Sequence, residues 1–416
     1  MLDPEKQRWF AFEVVKQLRA HGYESYWAGG CVRDELLGRT PKDYDVATAA
    51  RPEQIREVFG KRRTLSIGAA FGVITVLGPK AAGQIDVATF REDVSYSDGR
   101  RPDEVRYSSP QADALRRDIT INGMFYDPQE RRVIDFVGGQ EDLNRRLVRA
   151  IGDARERFTE DKLRMLRAVR FATTFDFALE QQTVAAIREM AAGITVVSAE
   201  RIAAEMRQML EGPARARAVE LLQDVSLLEH ILPEAAAAES LQPKMQLLRA
   251  LDRPSFPQSL AVLLGWPKGA ELGPTVAERW RLSNKESARA AWLLAHGKAL
   301  DDAAAQPWSR LQPVLAHDAA AELVALYQAA AKLGRAAQSD VDFCRQKLAL
   351  PSEQLDPPPL VTGGDLLAMG VPKGKLYSAL LSTARAAQLD GVLKTAEEAR
   401  EFIRQRWRQS SPDRAQ

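Results

Sequence analysis

Cysteine and histidine are scarce in this chain of 416 residues. The two cysteines, Cys31 and Cys344, lie far apart and form no CxxC spacing. The histidines are scattered as well, at His21, His230, His296 and His317. A disulfide framework needs several cysteine pairs and a structural zinc site needs clustered ligands, so the sequence argues against both.

Long apolar runs are also missing, since none approaches the roughly 18 residues of a membrane-spanning helix. The first residues, MLDPEKQRWFAFEVV, carry charges among their apolar positions, unlike a secretory signal. We therefore expect a cytoplasmic protein. The formal net charge of +2 does not by itself indicate a nucleic-acid partner, so such a partner would have to be recognised by local charge.

The pattern of apolar residues divides the chain into an α/β beginning and a helical remainder. Within residues 26–90, β-rich runs (YWAGG, DYDVAT, GVITVLG and QIDVATF) alternate with helical stretches, and a last strand, RRVIDFV, ends at Gly138. Beyond this point Ala, Leu, Arg and Glu recur with helical periodicity. No phosphate-binding GxxxxGKS or GxxxxGKT and no dinucleotide-binding GxGxxG occurs, which excludes those two nucleotide folds.

The most informative segment is AGGCVRDELLGRTPKDYDVAT, residues 28–48. Asp43 and Asp45 are two residues apart, so in a strand both carboxylates face one side and can hold a pair of Mg²⁺ ions. Gly29 and Gly30 allow backbone N–H groups to approach a triphosphate, and Arg33 adds a charged donor. An isolated DxD is more often a turn than a metal site, and the neighbouring glycines and arginine weigh against that alternative.

This segment resembles the first motif of class II CCA-adding enzymes and bacterial poly(A) polymerases, in the polymerase-β-like nucleotidyltransferase superfamily. Residues 84–127, QIDVATF through RRDITINGMFYD, resemble the strand, flexible loop and second motif that follow it. The resemblance implies that Arg117 contacts the nucleotide. Asp86 on QIDVATF is a candidate third metal ligand, with a surface aspartate as the equal alternative.

The polar loop from Arg91 to Arg106 corresponds to a loop that the family uses to switch from adding C to adding A. Its candidate residues are Arg91, Asp93, Gly99 and Arg100. A plain surface loop is the alternative. Because enzymes that add only CC are typically shortened here, the long loop makes that specialist the least expected one.

A third motif, RFTEDKLRMLRAVRFA, occupies residues 157–172. We expect Thr159 to cap a helix on which Asp161, Arg164, Arg167 and Arg170 form one polar stripe. The EDxxR pattern resembles the family's nucleobase-reading motif. The Asp161 carboxylate would accept from the exocyclic amine of cytosine or adenine, and Arg164 would donate to the ring nitrogen. Arg167 and Arg170 would contact nucleotide or phosphate, with an ion-paired helix surface as the alternative.

The expected fold is α+β, with a small mixed-sheet nucleotidyltransferase head followed by an elongated helical neck, body and tail. The expected modules are residues 1–138 for the head, 139–212 for the neck, 213–350 for the body and 351–416 for a tail that binds tRNA. The neck ends with VSAERIAAEMRQMLEGP, in which Arg201 and Glu205 are interpreted as structural.

The sequence thus predicts a tRNA nucleotidyltransferase that adds C and A from CTP and ATP with two Mg²⁺ ions and releases pyrophosphate. An A-adding specialist for tRNA ending in CC and a poly(A) polymerase share these motifs and stay open. A non-catalytic RNA-binding protein would be expected to lose the metal carboxylates or the base-reading pair. A small-molecule nucleotidyltransferase would need neither EDxxR nor a long helical body. The motifs do not predict an oligomeric state.

Overall fold

The computed structural model describes residues 2–66, 68, 72–93, 105–236, 241–267 and 274–410. Two of the predicted loop residues, Gly99 and Arg100, lie outside these ranges. The chain divides into two compact units, Met1–Ala237 and Ala238–Gln416. The division into four modules remains a prediction.

The first unit contains all the described strands. They are β1 (Ser25–Ala28), β2 (Asp45–Thr48), β3 (Thr64–Leu65), β4 (Val73–Leu77), β5 (Gln84–Thr89), β6 (Arg91–Asp93), β7 (Val105–Tyr107), β8 (Phe125–Asp127), β9 (Arg132–Ile134), β10 (Leu147–Val148) and β11 (Ala178–Leu179). Seven of them form one sheet in the order β3-β4-β5-β2-β1-β8-β9. Strands β2 and β5 pair in parallel, while β1 pairs antiparallel to β2 and β8, so the sheet is mixed as expected.

The helices of the first unit precede and follow the sheet. They are α1 (Pro4–Ala20), α2 (Gly30–Leu36), α3 (Pro52–Phe59), α4 (Pro110–Leu115), α5 (Gly139–Asn144), α6 (Ala154–Glu160), α7 (Leu163–Phe175), α8 (Gln181–Met190), α9 (Ala199–Glu211), α10 (Arg215–Asp224), α11 (Leu228–Ile231) and α12 (Pro233–Ala236). Helix α1 begins where Asp3 accepts from the backbone N–H groups of Glu5 and Lys6. Its apolar face, which includes Val14 and Leu18, is buried and packs toward the sheet.

The described residues of the second unit form helices joined by turns and loops, with no strand among them. Its helices are α13 (Gln242–Ala250), α14 (Phe256–Leu263), α15 (Pro274–Arg279), α16 (Asn284–Ala295), α17 (Trp308–Leu315), α18 (Ala320–Lys332), α19 (Gln338–Leu348), α20 (Ser352–Leu355), α21 (Gly363–Ala368), α22 (Lys375–Leu389) and α23 (Ala396–Ser410). Leu366, Leu380 and Ile403 bring α21, α22 and α23 into one apolar cluster. Among the described residues, no helix combines the length and apolar character needed to cross a membrane.

The expected helix over residues 157–172 is wrong in its beginning. Two helices meet there, because α6 ends at Glu160 and α7 starts at Leu163. Thr159 does not cap a helix; it lies inside α6 and its hydroxyl donates to the carbonyl of Arg155. Asp161 instead adopts an extended conformation between the helices and accepts from the N–H of Leu163. The Asp161 carboxylate, acting as a helix cap, therefore replaces the predicted cap at Thr159.

Two predicted strands are shorter than expected. Asp43 lies outside β2, because the partner strand β1 ends opposite Asp45, at Ala28. The run RRVIDFV is a strand only over Arg132–Ile134. The Asp135 carboxylate accepts from the N–H groups of Val137 and Gly139, which turns the backbone out of the strand.

Candidate active site

A cavity of about 760 Å³ in the first unit brings together most of the residues singled out from the sequence. The predicted residues that line it are Gly29, Gly30, Arg33, Asp43, Asp45, Arg117, Asp161, Arg164, Arg167 and Arg170. Arg116, Asp118, Asn122, Phe171 and Arg201 complete much of the wall. Among the described side chains, those of Asp86 and Arg91 do not line the cavity, and the side chain of Asp93 lies outside the described part of the chain.

The glycine pair forms the turn between β1 and α2. Gly29 has φ +74°, a conformation that side chains other than glycine rarely adopt. A Cβ atom at Gly29 would lie 3.0 Å from Nη1 of Arg117. The missing side chain therefore lets the Arg117 guanidinium approach the backbone at the start of α2, where N–H groups can receive an anion.

Three carboxylates gather at one edge of the parallel strand pair. Asp45 on β2 is the register partner of Asp86 on β5, so their side chains share one face of the sheet. Asp45 is exposed to solvent, but neighbouring protein atoms displace part of the water around its carboxylate. Partial loss of hydration, then the charges of Asp43 and Asp86, raise the pKa of Asp45 to about 6. The nearby Arg117 offsets only part of this effect.

The donor set at this edge suits Mg²⁺. Oxygen ligands are what Mg²⁺ prefers. Burial, then the charges of Asp43 and Asp86, raise the pKa of Asp45, and a bound cation would offset both effects. In the described part of the chain, no three His, Cys, Asp or Glu side chains are arranged to hold a metal ion by themselves. Mg²⁺ commonly uses one or two carboxylates together with substrate phosphates, so Asp43 and Asp45 meet the requirement without Asp86.

Arg33 is buried and hydrogen-bonded within the protein, unlike an exposed arginine that is free to bind phosphate. Its side chain is buried; its guanidinium donates to the Asp34 carboxylate (2.8 Å from Nη2) and to Oδ1 of Asn122, and it lies 4.3 Å from the centre of the Phe175 ring. Burial lowers the pKa of Arg33, and the Asp34 charge opposes this shift. These contacts hold the guanidinium in one orientation, so its remaining N–H groups point in fixed directions.

The arginines of the second motif are held by a buried aspartate that the sequence analysis did not single out. Asp113 on α4 accepts from Nη2 of Arg116 at 2.7 Å and from Nη2 of Arg117 at 2.9 Å. Burial opposes ionisation of Asp113, yet the charges of Arg117 and Arg116 keep its pKa below the usual value. Arg117 also donates to the backbone carbonyl of Asn122, which fixes it beside Gly29.

The predicted base-reading pair lies at the junction of α6 and α7. The Asp161 carboxylate accepts both terminal N–H groups of Arg201, with Nη2 at 2.6 Å and Nη1 at 3.2 Å. Arg164 donates to Glu160 at 2.5 Å and to the carbonyl of Arg116 at 3.1 Å. Each carboxylate oxygen has two lone pairs and a guanidinium has five N–H groups, so capacity for a base remains on both.

The rest of the arginine stripe is also paired. Arg167 donates to the buried Asp118 at 2.8 Å, and although burial opposes it, the Arg167 charge holds the pKa of Asp118 below its usual range. Arg170 donates to Glu205 at 2.5 Å and lies 4.1 Å from the centre of the Phe171 ring. The stripe is therefore both an ion-paired surface and a cavity wall, so the two interpretations of the sequence are compatible.

Sequence reasoning missed the acidic partners of these arginines. Asp113, Asp118, Glu160 and Glu205 hold the cations, and Arg201 holds Asp161. A signal was present in the helix that carries Arg201 and Glu205, since the two are four residues apart and share a helix face. Their targets lie about 35 to 40 residues earlier in the chain, which spacing alone cannot identify.

The described end of the predicted flexible loop is tied to the same wall. The strand β6 contains Arg91 and Asp93 and pairs with β7. The backbone carbonyl of Arg91 accepts from Nε of Arg116 at 3.1 Å, and its N–H donates to Asp113. The loop thus begins at the aspartate that orients the arginines of the second motif.

The chain is similar to known proteins over nearly its whole length. Residues 25–149 match the Poly A polymerase head domain, and residues 176–239 match the domain described as "Probable RNA and SrmB- binding site of polymerase A". The CCA-adding enzyme of Geobacillus kaustophilus is 40% identical over 299 residues, 70% of each chain. That of Geobacillus thermodenitrificans is 33% identical over 402 residues, 93% of this chain and 94% of the relative.

The chain belongs to the CCA-adding enzyme family. Its fold agrees with the crystal structure of the Bacillus stearothermophilus CCA-adding enzyme in complex with CTP, with a TM-score of 0.78 and 28% identity over 99% of this chain and 100% of the other. The family resemblance stated from the motifs is therefore confirmed, as is the mixed-sheet head with a mostly helical remainder.

Proposed function

We propose that this protein adds C and A from CTP and ATP to the 3′ end of tRNA, building the terminal CCA. The proposal rests mainly on one observation: the Asp43 and Asp45 carboxylates, the glycine turn and the pair of Asp161 and Arg164 all line the same cavity. Membership of the CCA-adding enzyme family supports the same activity.

The reaction is a displacement at the α-phosphorus of the incoming triphosphate. A bond forms between the RNA 3′ oxygen and that phosphorus, the bond to the β-phosphate oxygen breaks, pyrophosphate leaves and the hydroxyl proton passes to water. Gly29, Gly30 and Arg117 lie where the triphosphate charge can be received, beside Asp43 and Asp45. Asp43 and Asp45 would hold Mg²⁺, which when bound supplies charge neutralisation on the phosphates and activation of the hydroxyl.

Base selection without a template follows from the polarity of Asp161 and Arg164. Cytosine and adenine each offer an exocyclic amine beside a ring acceptor, which matches an acceptor carboxylate beside a guanidinium donor. Uracil and guanine present the reverse order, so they would leave buried groups unpaired at a cost of about 1–3 kcal/mol each. Arg201 supports this role because it holds the Asp161 carboxylate by two hydrogen bonds.

The test is nucleotide incorporation on three matched tRNAs, which lack CCA, end in C or end in CC, each with CTP, ATP, UTP or GTP. We expect C on the first two, A only on the third, and no extension with UTP or GTP. Incorporation of ATP alone, confined to the CC-ended tRNA, would replace the proposal with an A-adding specialist. A long homopolymer would instead indicate a poly(A) polymerase.

We assign tRNA binding away from the reacting end to residues 351–416, in keeping with the proposed tail module. Its last helix, α23, presents exposed Arg404, Arg406 and other cations suited to a phosphate backbone. Loss of tRNA affinity without loss of nucleotide affinity on neutralising these side chains would support this assignment.

A further inference from the structure

A second cavity, of about 670 Å³, adjoins the first one within the same unit. The two share Gly30, Arg33, Asp43, Arg170 and Phe171. Asp45, Arg117, Asp161 and Arg164, which line the first cavity, do not line the second. Asp43 is thus the carboxylate of the pair that faces both spaces.

The residues found only in the second cavity have the chemistry of a single-stranded RNA contact. The exposed segment between α2 and β2 contributes Arg39, Thr40 and Lys42, and Asp43 follows directly in the chain. The Arg39 guanidinium lies 5.1 Å from the centre of the Phe175 ring. Cations beside aromatic rings and hydroxyls are what phosphates, bases and sugars of an unpaired strand require.

The acidic residues of this cavity do not neutralise those cations. Asp34 is engaged by Arg33, with 2.8 Å between its Oδ1 and Nη2 of the arginine. Glu211 is exposed at the end of α9. Among the described residues, no ion pair joins Arg39 or Lys42 to a carboxylate, so both cations can reach an external phosphate.

The reaction geometry assigns this space to one substrate. In a displacement at phosphorus, the attacking and leaving oxygens lie on opposite sides of the reacting atom. If the triphosphate occupies the cavity of Arg117 and Asp161, the attacking hydroxyl must approach from another direction at the metal carboxylates. The second cavity gives access to Asp43 past residues that do not line the first one.

We propose that the second cavity seats the 3′-terminal nucleotides of the acceptor RNA, with Arg39 and Lys42 on their phosphates, so that the 3′ hydroxyl reaches Asp43. This inference rests on the proposed function and names the residues that position its second substrate. Arg39 and Lys42 are positioning residues, since they touch RNA phosphates and not the reacting atoms.

The test compares the full-length wild type with R39A/K42A, using tRNA ending in CC and ATP. We expect the KM for tRNA to rise about tenfold or more while the KM for ATP stays within about twofold. The slope of log Kd for tRNA against log salt concentration should fall by about 1.4, because each single-strand phosphate that the variant no longer neutralises accounts for ~0.7. R39K/K42R should restore most of the affinity and the slope.

The matched control is R62A/R63A, which removes two exposed arginines from the short 3-10 helix Lys61–Arg63 and should change none of these values. An unchanged KM for tRNA and an unchanged salt slope in R39A/K42A would overturn the inference, while wild-type incorporation would leave the proposed function standing. A selective rise in the KM for ATP would also overturn it, by assigning the cavity to the nucleotide. A wild type that extends none of the tRNAs would overturn both.

Discussion

The carboxylates at the sheet edge and those among the helices of the first unit have opposite surroundings. Among the described residues, no arginine or lysine forms an ion pair with Asp43, Asp45 or Asp86, and the pKa of Asp45 is raised. Asp113 and Asp118 are buried against arginines, and their pKa values are lowered. The carboxylates at the sheet edge can therefore bind a cation from outside the protein, whereas Asp113 and Asp118 are already neutralised by arginines of the same chain.

The difference separates two tasks that an active site must perform. Among the described residues, the sheet-edge carboxylates have no cationic partner, although Asp86 accepts from the Thr75 hydroxyl. This suits groups whose counter-ion arrives with the substrate. The helical group is already satisfied, so its arginines are held in fixed orientations before any nucleotide binds. Removing a member of each group should consequently affect different measurements.

The largest effect is expected when the sheet-edge pair is removed. D43N/D45N should lower the rate of nucleotide incorporation on the order of a thousandfold or more, because several kcal/mol of charge stabilisation by the metal site would be lost. The measurement is single-turnover incorporation with saturating ATP on CC-ended tRNA, with tRNA affinity measured in parallel. D86N is the matched comparison and should cost less than about tenfold, since the pair meets the metal requirement without it. Equal losses in the two variants would make Asp86 a third ligand.

Removal of a buried acid from the helical group should mainly lower stability. Glu205 lies between Arg170 at 2.5 Å and Arg167 at 3.8 Å, and its side chain is 7% exposed. E205A leaves two cations without this partner, so we expect a loss of about 3 kcal/mol in the free energy of unfolding. Denaturant titration of E205A beside E189Q, which alters an exposed ion pair with Arg155, provides the contrast. A loss in E205A no larger than in E189Q would contradict the proposed network.

Arg201 offers a sharper test, because its effect should appear in selectivity. R201Q removes two hydrogen bonds from the Asp161 carboxylate and leaves the one from the N–H of Leu163, so the carboxylate is held less firmly. Discrimination between CTP and UTP, expressed as the ratio of kcat/KM values, should therefore fall by about tenfold. R201K should keep part of that ratio, since one charged donor remains. R188Q, on the exposed arginine that donates to the carbonyl of Asp224, should keep all of it. A fall in kcat/KM that is equal for both nucleotides would reduce Arg201 to a purely structural role.

The smallest predicted effect is a gain in stability. Asp45 has a pKa of about 6 in the folded protein against an ordinary value of 3.8, so its ionisation destabilises the fold in full above about pH 6. The penalty shrinks as the pH falls between these two values and is absent only below the lower one. In the presence of a metal chelator, D45N should therefore melt about 2 °C higher than the wild type at pH 7.5 and only about 1 °C higher near pH 5. Calorimetry at the two pH values checks the sign. A gain that persists unchanged at pH 5 would rule out the ionisation of Asp45 as its cause.

The parts predictable from sequence were those encoded in short segments. The glycine turn, the acidic pair and the arginine stripe each lie within about twenty residues, and their spacing is sufficient to place them on strands or helices. The two strand ends and the helix break could not be predicted this way. Asp135 sets the end of β9 and Asp161 sets the helix break, each by accepting backbone N–H groups locally, and such capping competes with the strand or helix that the apolar pattern favours. The boundary of β2 depends on where its partner strand β1 ends.

The contacts that orient the site residues could not be predicted from the sequence for a different reason. Arg201 meets Asp161 across 40 positions, and Arg33 meets Asn122 across 89. The packing of the helices determines these partners. A charged helix face has the same sequence pattern whether it contacts water or another charged face, so the pattern does not identify the partner. The interpretation of Arg201 and Glu205 as structural named the right helix, but it did not foresee that the helix holds the proposed base reader.

The parallel pairing of β2 with β5 has a consequence for how this enzyme can fail. The same hydrogen bonds that build the middle of the sheet also set Asp45 opposite Asp86. A slip of one residue along either strand would point an acid into the apolar interior and a valine toward the substrate. A misregistered chain would thus be penalised as it forms, so errors in assembling the catalytic edge would be removed during folding and would not persist as a population of inactive native molecules.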